Sequence, residues 1–265
     1  MIVKIVTVIQ ARTGSSRLPD KILLSAAGKQ LLLHMVERVK RAKNTGLVVV
    51  ATTTLEEDDS IEEVCSKNGI ECFRGHPTDL LERHYQTAIK YDADIVLKIP
   101  SDCPLIDPTI IDLVTENYFS NIQNYDFVSN LRPATFPDGN DVEILSRDVL
   151  EYVWLNAKLD YEREHTTPYI WTHPDKFRIG NVEWNSGLDY SKSHRWTLDY
   201  EEDYTFIRLI YEELYRKNPH FGMYDIINLI EDKPHLKRIN NIHVGKFWHN
   251  NYLFNKEKMK ANYEQ

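Results

Sequence analysis

The sequence predicts an α/β protein built on a mainly parallel, doubly wound sheet. Three observations carry that expectation. Runs rich in β-branched apolar residues recur at 2–9, 47–51 and 94–99, amphipathic helical stretches lie between them, and the first and last of these runs end in polar loops bearing Gly or Pro. A strand covered on both faces needs no polar alternation, and strands that alternate with helices make βαβ units.

The elements follow in order. Residues 2–9 read as the first buried strand and end at the loop 10–21. An amphipathic helix comes next, with Leu32, Met35, Val36 and Val39 on one stripe and Glu37, Arg38, Lys40 and Arg41 on the other. After the strand at 47–51, Asp59 or Ser60 can cap a short helix that Gly69 ends. A short strand is expected at 71–73. Asp79 and Glu82 have capping-box spacing before a helix that runs through Ile89. The strand at 94–99 ends at Pro100-Ser101-Asp102-Cys103-Pro104, and Pro108 suits the first turn of the helix that follows. Beyond residue 125 regularity loosens. Strands are expected near 141–144, 177–182 and 195–198, and helices near 148–157, 162–172 and 201–216, with Pro168 starting or kinking the second of these.

Composition limits the function. A net charge of −8 disfavours a broad nucleic-acid surface, which needs clustered Lys and Arg, but leaves room for a small phosphate ligand held by a few local cations. The three cysteines, Cys65, Cys72 and Cys103, have the spacing of neither a disulfide framework nor a zinc site, so reduced structural thiols are expected. The N-terminal run is too short and polar for a signal peptide, and no apolar stretch approaches the ~20 residues of a membrane span. No membrane partner and a cytoplasmic location are therefore expected. We divide the chain into a domain at 1–218, with an accessory lobe around 130–190, and a C-terminal appendage at 219–265 whose end is polar and mildly basic.

Ligands of open parallel sheets bind beyond the carboxyl ends of the strands, which is where the loop 10–21 falls. It concentrates Arg12, Arg17 and Lys21 with Gly14, Ser15 and Ser16, as a polyphosphate site requires: small residues let backbone N–H groups approach, and cations counter the charge. It lacks the Gly-Lys-Ser/Thr ending of a P-loop, and a solvated basic loop has the same composition. Asp102 and Asp199 each end an expected strand. A carboxylate there can hold Mg²⁺, although Ser-Asp-x-Pro is also a turn sequence and Asp199 also suits a helix N-cap. Two such aspartates beside a cationic loop point to metal-assisted phosphoryl transfer.

Ile9-Gln10-Ala11-Arg12-Thr13-Gly14-Ser15-Ser16-Arg17-Leu18-Pro19-Asp20-Lys21 resembles the signature of the CMP-sugar synthetases, which activate Kdo and sialic-type acids. The match is closest to the branch of the spore-coat polysaccharide synthesis protein F. Later blocks resemble that branch in order: Phe73-Arg74-Gly75 with 79–83, Ser101-Asp102-Cys103-Pro104, Phe136-Pro137 through Asp141-Val142-Glu143, Arg163-Glu164-His165, and Arg195-Trp196-Thr197 with Asp199. The resemblance spans roughly 3–214. It implies a nucleotide-diphospho-sugar transferase-like fold, a dimerisation role for the small lobe, a homodimer, and a CTP-dependent, Mg²⁺-dependent transfer of CMP to a small acidic acceptor. By position it implies that Arg12, Ser15, Arg17 and Lys21 meet the CTP phosphates, with Gly14 and Ser16 in the same loop, and that Ala11, Arg74, Pro100 and Ser101 lie along the nucleoside. Asp102 and Asp199 would hold the metal, making Arg12, Lys21, Asp102 and Asp199 the catalytic set. Asp141, Glu143, His165 and Arg195 would face the acceptor.

Two departures stand out: Asp20 replaces a usual Gly, and Pro100-Ser101 replaces the Gln-Gly of Kdo-activating enzymes. A glycosyltransferase of similar fold, a non-catalytic nucleotide sensor, and a cytidylyltransferase acting on a phosphate or phosphonate are the competing readings. His34, His76 and His84 lack ligand spacing and are expected in surface or capping roles.

Overall fold

The computed structural model describes residues 3–246. Along the chain run β1 (Ile5–Gln10), β2 (Ser25–Ala26), β3 (Lys29–Gln30), α1 (Leu31–Lys40), β4 (Leu47–Thr53), α2 (Asp59–Lys67), β5 (Glu71–Gly75), α3 (Leu80–Lys90), β6 (Ile95–Pro100) and α4 (Pro108–Ser120). Then come β7 (Phe127–Ser129), β8 (Glu143–Ser146), α5 (Arg147–Asn156), α6 (Asp160–His165), α7 (Pro168–Thr172), β9 (Ile179–Asn181), α8 (Glu201–Leu214), α9 (Met223–Asp232) and α10 (His235–Arg238).

Among the described residues the main sheet has seven strands, ordered β5-β4-β1-β6-β8-β7-β9. β1 pairs parallel with β4 and β6, and β4 pairs parallel with β5; β8 runs antiparallel to β6 and β7. The central strands are buried on both faces with a period of two. Val48, Val50, Leu97 and Ile99 face one hydrophobic layer, under α1, α4, α8 and α9, while Val49, Ala51 and Val96 face the other, under α3 and α5. Winding proceeds outward from β1 to β4 and β5 and then returns across β1 to β6. The carboxyl ends of β1 and β6 therefore flank the point where strand order reverses, the place where such sheets open a crevice.

Local chemistry sets the helix starts. Asp79 accepts a hydrogen bond from Glu82 N at 2.9 Å to begin α3, and Asp107 accepts from Thr109 N at 2.7 Å, with Pro108 opening α4. Where one helix was expected over 162–172, Thr166 turns left-handed at φ 73° before Pro168 and separates α6 from α7. The expected strand at 195–198 is a loop with a single bridge, Asp138 to Arg195, because its backbone and side chains bond to 102 and 138 rather than to a neighbouring ladder.

The residues around 130–190, expected as an accessory lobe, contribute β8 and β9 to the main sheet and α5 to the layer over it. The stretch from 219, expected as an appendage, needs correction as far as residue 246. Phe221, Met223, Ile226, Ile230 and Leu236 belong to the main core, since Met223, Ile226, Ile227 and Ile230 recur at helical spacing and bury one face of α9. The remainder of that stretch lies outside the described residues. Cys65, Cys72 and Cys103 are free thiols. No helix among the described residues is long and apolar enough to cross a membrane.

Candidate active site

The loop after β1 is folded on itself and anchored to its neighbour. Thr13 O accepts from Ser15 N at 2.7 Å and Asp20 N at 3.1 Å, while Thr13 N donates to Asp58 Oδ1 at 2.7 Å. Burial opposes charge on Asp58, but hydrogen bonds from Thr53 and Thr13 outweigh it and hold the carboxyl below its ordinary range. Asp20 adopts φ 55°, the left-handed geometry that this residue type tolerates, so the Gly-to-Asp departure costs the loop little. Ser15 Oγ accepts from Leu18 N at 3.3 Å, and Arg12, Gly14 and Ser16 are exposed. Ala11 is buried, its N–H donating to Ala51 O at 3.0 Å.

Three chain segments meet at this end of the sheet. Pro100 pairs with Gln10 in register, and Ser101 N donates to Gln10 O at 3.2 Å. Asp102 O accepts from Leu198 N at 2.8 Å and Thr197 Oγ1 at 3.2 Å, which draws the 197–199 segment against the end of β6. Lys21 closes the third side, donating to Leu198 O at 2.6 Å and Asp199 Oδ1 at 3.0 Å; its side chain is only 13% exposed. Arg17 donates to the same Asp199 oxygen at 2.7 Å from a half-exposed position over the Tyr200 ring. Burial would raise the Asp199 pKa, but Lys21 and Arg17 bring it down to about 2.

The inner side has the opposite balance. Burial raises the Asp102 pKa, Lys21 pulls against it, and the Asp199 charge adds to the rise. Burial, then Asp102, push Asp141 up to about 7 against the pull of Lys98. Asp138 is raised well above the usual carboxyl range by burial and by Asp141, with Arg195 opposing. These groups share one charge environment, and it is short of positive charge. Beneath them Arg195 is buried, bonded through Nε and Nη2 to Asp203 at 2.9 Å each and reaching Asp138 and Asp199 at 3.4 Å. Asp203 also accepts from the Asp199 and Tyr200 N–H groups at 3.0 Å and from Asn240. Gly139 is required where the 138–141 turn meets this frame: a Cβ there would lie 2.7 Å from Thr197 N.

The sequence-derived residues thus separate into groups. Arg17, Lys21, Pro100, Ser101, Asp102 and Asp199 converge, and Asp141 joins them through the field it shares with Asp102. Arg195 lies under the site rather than lining it, because its guanidinium is saturated by carboxylates. Glu143 is buried, ion-paired with Lys98 and accepting from Thr167 Oγ1 at 2.6 Å. His165 feels the charges of Lys98, Glu143 and Arg12, and burial, the larger effect, lowers its pKa. Arg74 is engaged elsewhere, bonding Thr53 O at 2.9 Å, Leu55 O at 2.8 Å and the carboxylates of Asp59 and Glu62 on α2. His34 and His84 are core side chains rather than surface ones; burial pushes His84 down to about 3. His76 does cap, its Nδ1 accepting from Asp79 N at 2.9 Å.

Sequence reasoning missed Asp138, Asp203 and Lys98. A lysine inside the apolar run Ile95-Val96-Leu97-Lys98-Ile99 was a usable signal, because a buried cation demands an anion. Nothing local marks Asp138 or Asp203 as partners of Arg195.

A family model for cytidylyltransferases matches residues 6–261. The chain belongs to the cytidylyltransferase family. It is similar to the spore coat polysaccharide biosynthesis protein SpsF of Bacillus subtilis, 29% identical over 235 residues that cover 87% of this chain and 95% of that one. The structure of a cytidylyltransferase from Leptospira borgpetersenii superposes with a TM-score of 0.83 at 36% identity, covering 89% of this chain and 97% of that one. A CMP:2-keto-3-deoxy-manno-octonic acid synthetase complexed with CTP shares the fold, with a TM-score of 0.60 at 20% identity over 80% of this chain and all of the other. For this cytidylyltransferase the family therefore agrees with the nucleotidyl-transfer chemistry that the strand-end cluster suggests.

Proposed function

We propose that this enzyme transfers CMP from CTP to a small acidic acceptor and releases pyrophosphate, with Mg²⁺ held by Asp102 and Asp199. The observation that carries the reading is the convergence of Asp102, Asp199 and Lys21 at the switch point between β1 and β6. The site suits a divalent cation because Asp102, Asp138 and Asp141 are all raised by burial and mutual repulsion. Among the described residues no three His, Cys, Asp or Glu side chains form a metal-holding group, so the proposed cation has two protein carboxylates and relies on phosphate oxygens for the rest of its shell, as Mg²⁺ commonly does. Bound Mg²⁺ would supply charge neutralisation at the α-phosphate.

The protein's own groups do the rest. Arg17 and Lys21, both paired with Asp199, would meet the triphosphate and balance the charge that builds on departing pyrophosphate, with Arg12 exposed in the same loop. The clamp of Asp102 O on Leu198 N and Thr197 keeps the two aspartates in fixed relation, so positioning is built in before substrate arrives. An ionised acceptor oxygen attacks the α-phosphorus in line, one P–O bond forming as the bond to pyrophosphate breaks; a hydroxyl acceptor must also lose its proton. The acceptor is assigned to the side of Asp141 and His165, two groups that both feel the charges of Lys98 and Glu143. The SpsF similarity supports a role in polysaccharide biosynthesis. The product of this reading is an activated acidic sugar or related metabolite for surface polysaccharide or glycan synthesis, made in the cytoplasm by a homodimer.

The test is a screen of acidic sugars, phosphates and phosphonates against each of the four nucleoside triphosphates, read as pyrophosphate released. CTP with one acidic acceptor class is expected to dominate. Equal turnover with ATP or UTP, or sugar transfer from a nucleotide-sugar without pyrophosphate, would refute the proposal.

A further inference from the structure

Arg132, which has no part in the reaction as described so far, lies at the same edge of the sheet as the strand-end cluster. β8 runs antiparallel to β6 and β7, so the end of β7 and the start of β8 share that edge with the carboxyl ends of β1 and β6. β7 stops at Ser129, paired with Glu143, and the chain then turns back through a bridge between Leu131 and Ala134 with Arg132 inside the turn. Two asparagines clasp this turn. Asn130 donates to Asn140 O at 2.6 Å and accepts from Val142 N at 3.0 Å, while Asn181 accepts from Arg132 N at 2.9 Å and donates to Pro133 O at 3.0 Å.

The Arg132 side chain is held in place but not satisfied. Its guanidinium carbon lies 3.6 Å from the centroid of the Trp171 ring, the contact separation of stacked planes. Trp171 sits on α7 one turn beyond Thr167, whose hydroxyl bonds Glu143, so one short helix supports both the arginine and its neighbouring carboxylate. Stacking uses the face of a guanidinium and leaves its N–H edges open. Arg132 is an exposed residue, and among the described residues those edges make no hydrogen bond and no ion pair. Its charge is nevertheless sheltered: burial lowers its pKa, and the Glu143 charge opposes the fall. Glu143 cannot serve as a full partner, because Lys98 and Thr167 already engage both of its oxygens. Arg195, expected to face the acceptor, has its donors on Asp138, Asp199 and Asp203. Arg132 is thus the arginine on this side with donors left to offer.

We propose that Arg132, stacked on Trp171, binds the acid group of the acceptor and selects for an acidic substrate, an assignment that rests on the nucleotidyl-transfer reading above. Two N–H groups on one edge of the guanidinium match the two oxygens of a carboxylate side-on. One arginine with the Glu143 charge nearby balances a monoanion better than a dianion, which favours a carboxylate over a phosphate. β7 lies two strands from β6, about 10 Å across the sheet, a span that a sugar-sized acid can bridge between Arg132 and the Asp102 end of β6. Holding the acid at one end orients the attacking oxygen at the other.

Calorimetric titration of the full chain tests this without turnover, in the presence of α,β-methylene CTP. The probes are 3-deoxy-manno-octulosonate and N-acetylneuraminate, their methyl esters, and glucose 6-phosphate. At least one free sugar acid is expected to bind the wild type and to lose at least about tenfold in affinity in Arg132→Gln, whereas its ester binds both proteins alike. Arg132→Lys keeps the charge without the flat fork; it should fall between, and it serves as the readout if the glutamine variant does not fold. Unchanged affinity in both variants, no sugar acid bound by the wild type, or tighter binding of glucose 6-phosphate would overturn the role of Arg132. Pyrophosphate release from CTP with the same probes keeps the two readings apart. Arg132-dependent binding with no pyrophosphate from any probe would count against the transfer reaction and leave Arg132 as an acid-binding residue.

Discussion

The two sides of the strand-end cluster are a few side chains apart and electrostatically opposite. On the outer side Arg17 and Lys21 sit on Asp199 and bring its carboxyl to about 2; on the inner side burial and repulsion lift Asp141 to about 7 and raise Asp102 and Asp138 with it. The outer carboxylate is matched by two cations. The inner carboxylates have fewer cations than charges to balance. The difference teaches that one strand end can hold a carboxylate that stays ionised beside others that resist ionisation, which is the contrast the proposed metal–triphosphate site rests on.

The largest expected effect breaks the inner side. Asp102→Asn keeps shape and hydrogen-bonding capacity but removes the charge, and should lower pyrophosphate release by about 10³-fold or more with an unchanged circular dichroism spectrum. Activity within tenfold of wild type would remove Asp102 from the chemistry. Next in size is the frame beneath both sides. Arg195→Ala strips the buried Asp203 of its counter-ion, and about 3–5 kcal/mol of stability should be lost in a urea titration.

A paired substitution sharpens the contrast. At pH 7 without metal, Asp141→Asn should stabilise by about 4 kcal/mol and Asp199→Asn destabilise by about 2 kcal/mol. The signs follow from linkage. Asp141 binds its proton more tightly folded than unfolded, so its contribution to stability falls as pH rises from about 4 to 7; Asp199 does the reverse, and its contribution is lost as pH falls through the range between about 4 and 2. Melting temperatures that move in the same direction for both variants would contradict the opposition of the two sides.

How much of this was legible in the sequence depended on range. Strands and helices were readable because their periods are local, and so was the Asp20 turn, where a left-handed residue was expected in place of Gly. The capping Asp79 and the break at Pro168 were readable for the same reason. The helix at Met223–Asp232 carried its apolar spacing openly and was overlooked among polar neighbours. Lys21 and Asp199, 178 residues apart, were joined in one site by their expected places at strand ends and then by the family resemblance; taken singly, each also had an ordinary surface or capping reading. Arg195 shows the limit of that resemblance, which assigned it to the acceptor although its partners Asp138 and Asp203 hold it below the surface. Arg74 shows the same limit: an arginine's neighbours on α2 decide where its donors go.

The central claim is that Asp102 and Asp199 serve one metal–triphosphate cluster. Binding of Mn²⁺ in the presence of CTP, followed by electron paramagnetic resonance, tests it directly in the wild type and in the Asp102→Asn and Asp199→Asn variants. Loss of nucleotide-dependent Mn²⁺ binding in each single variant is the predicted result; full Mn²⁺ affinity in either one would contradict the account.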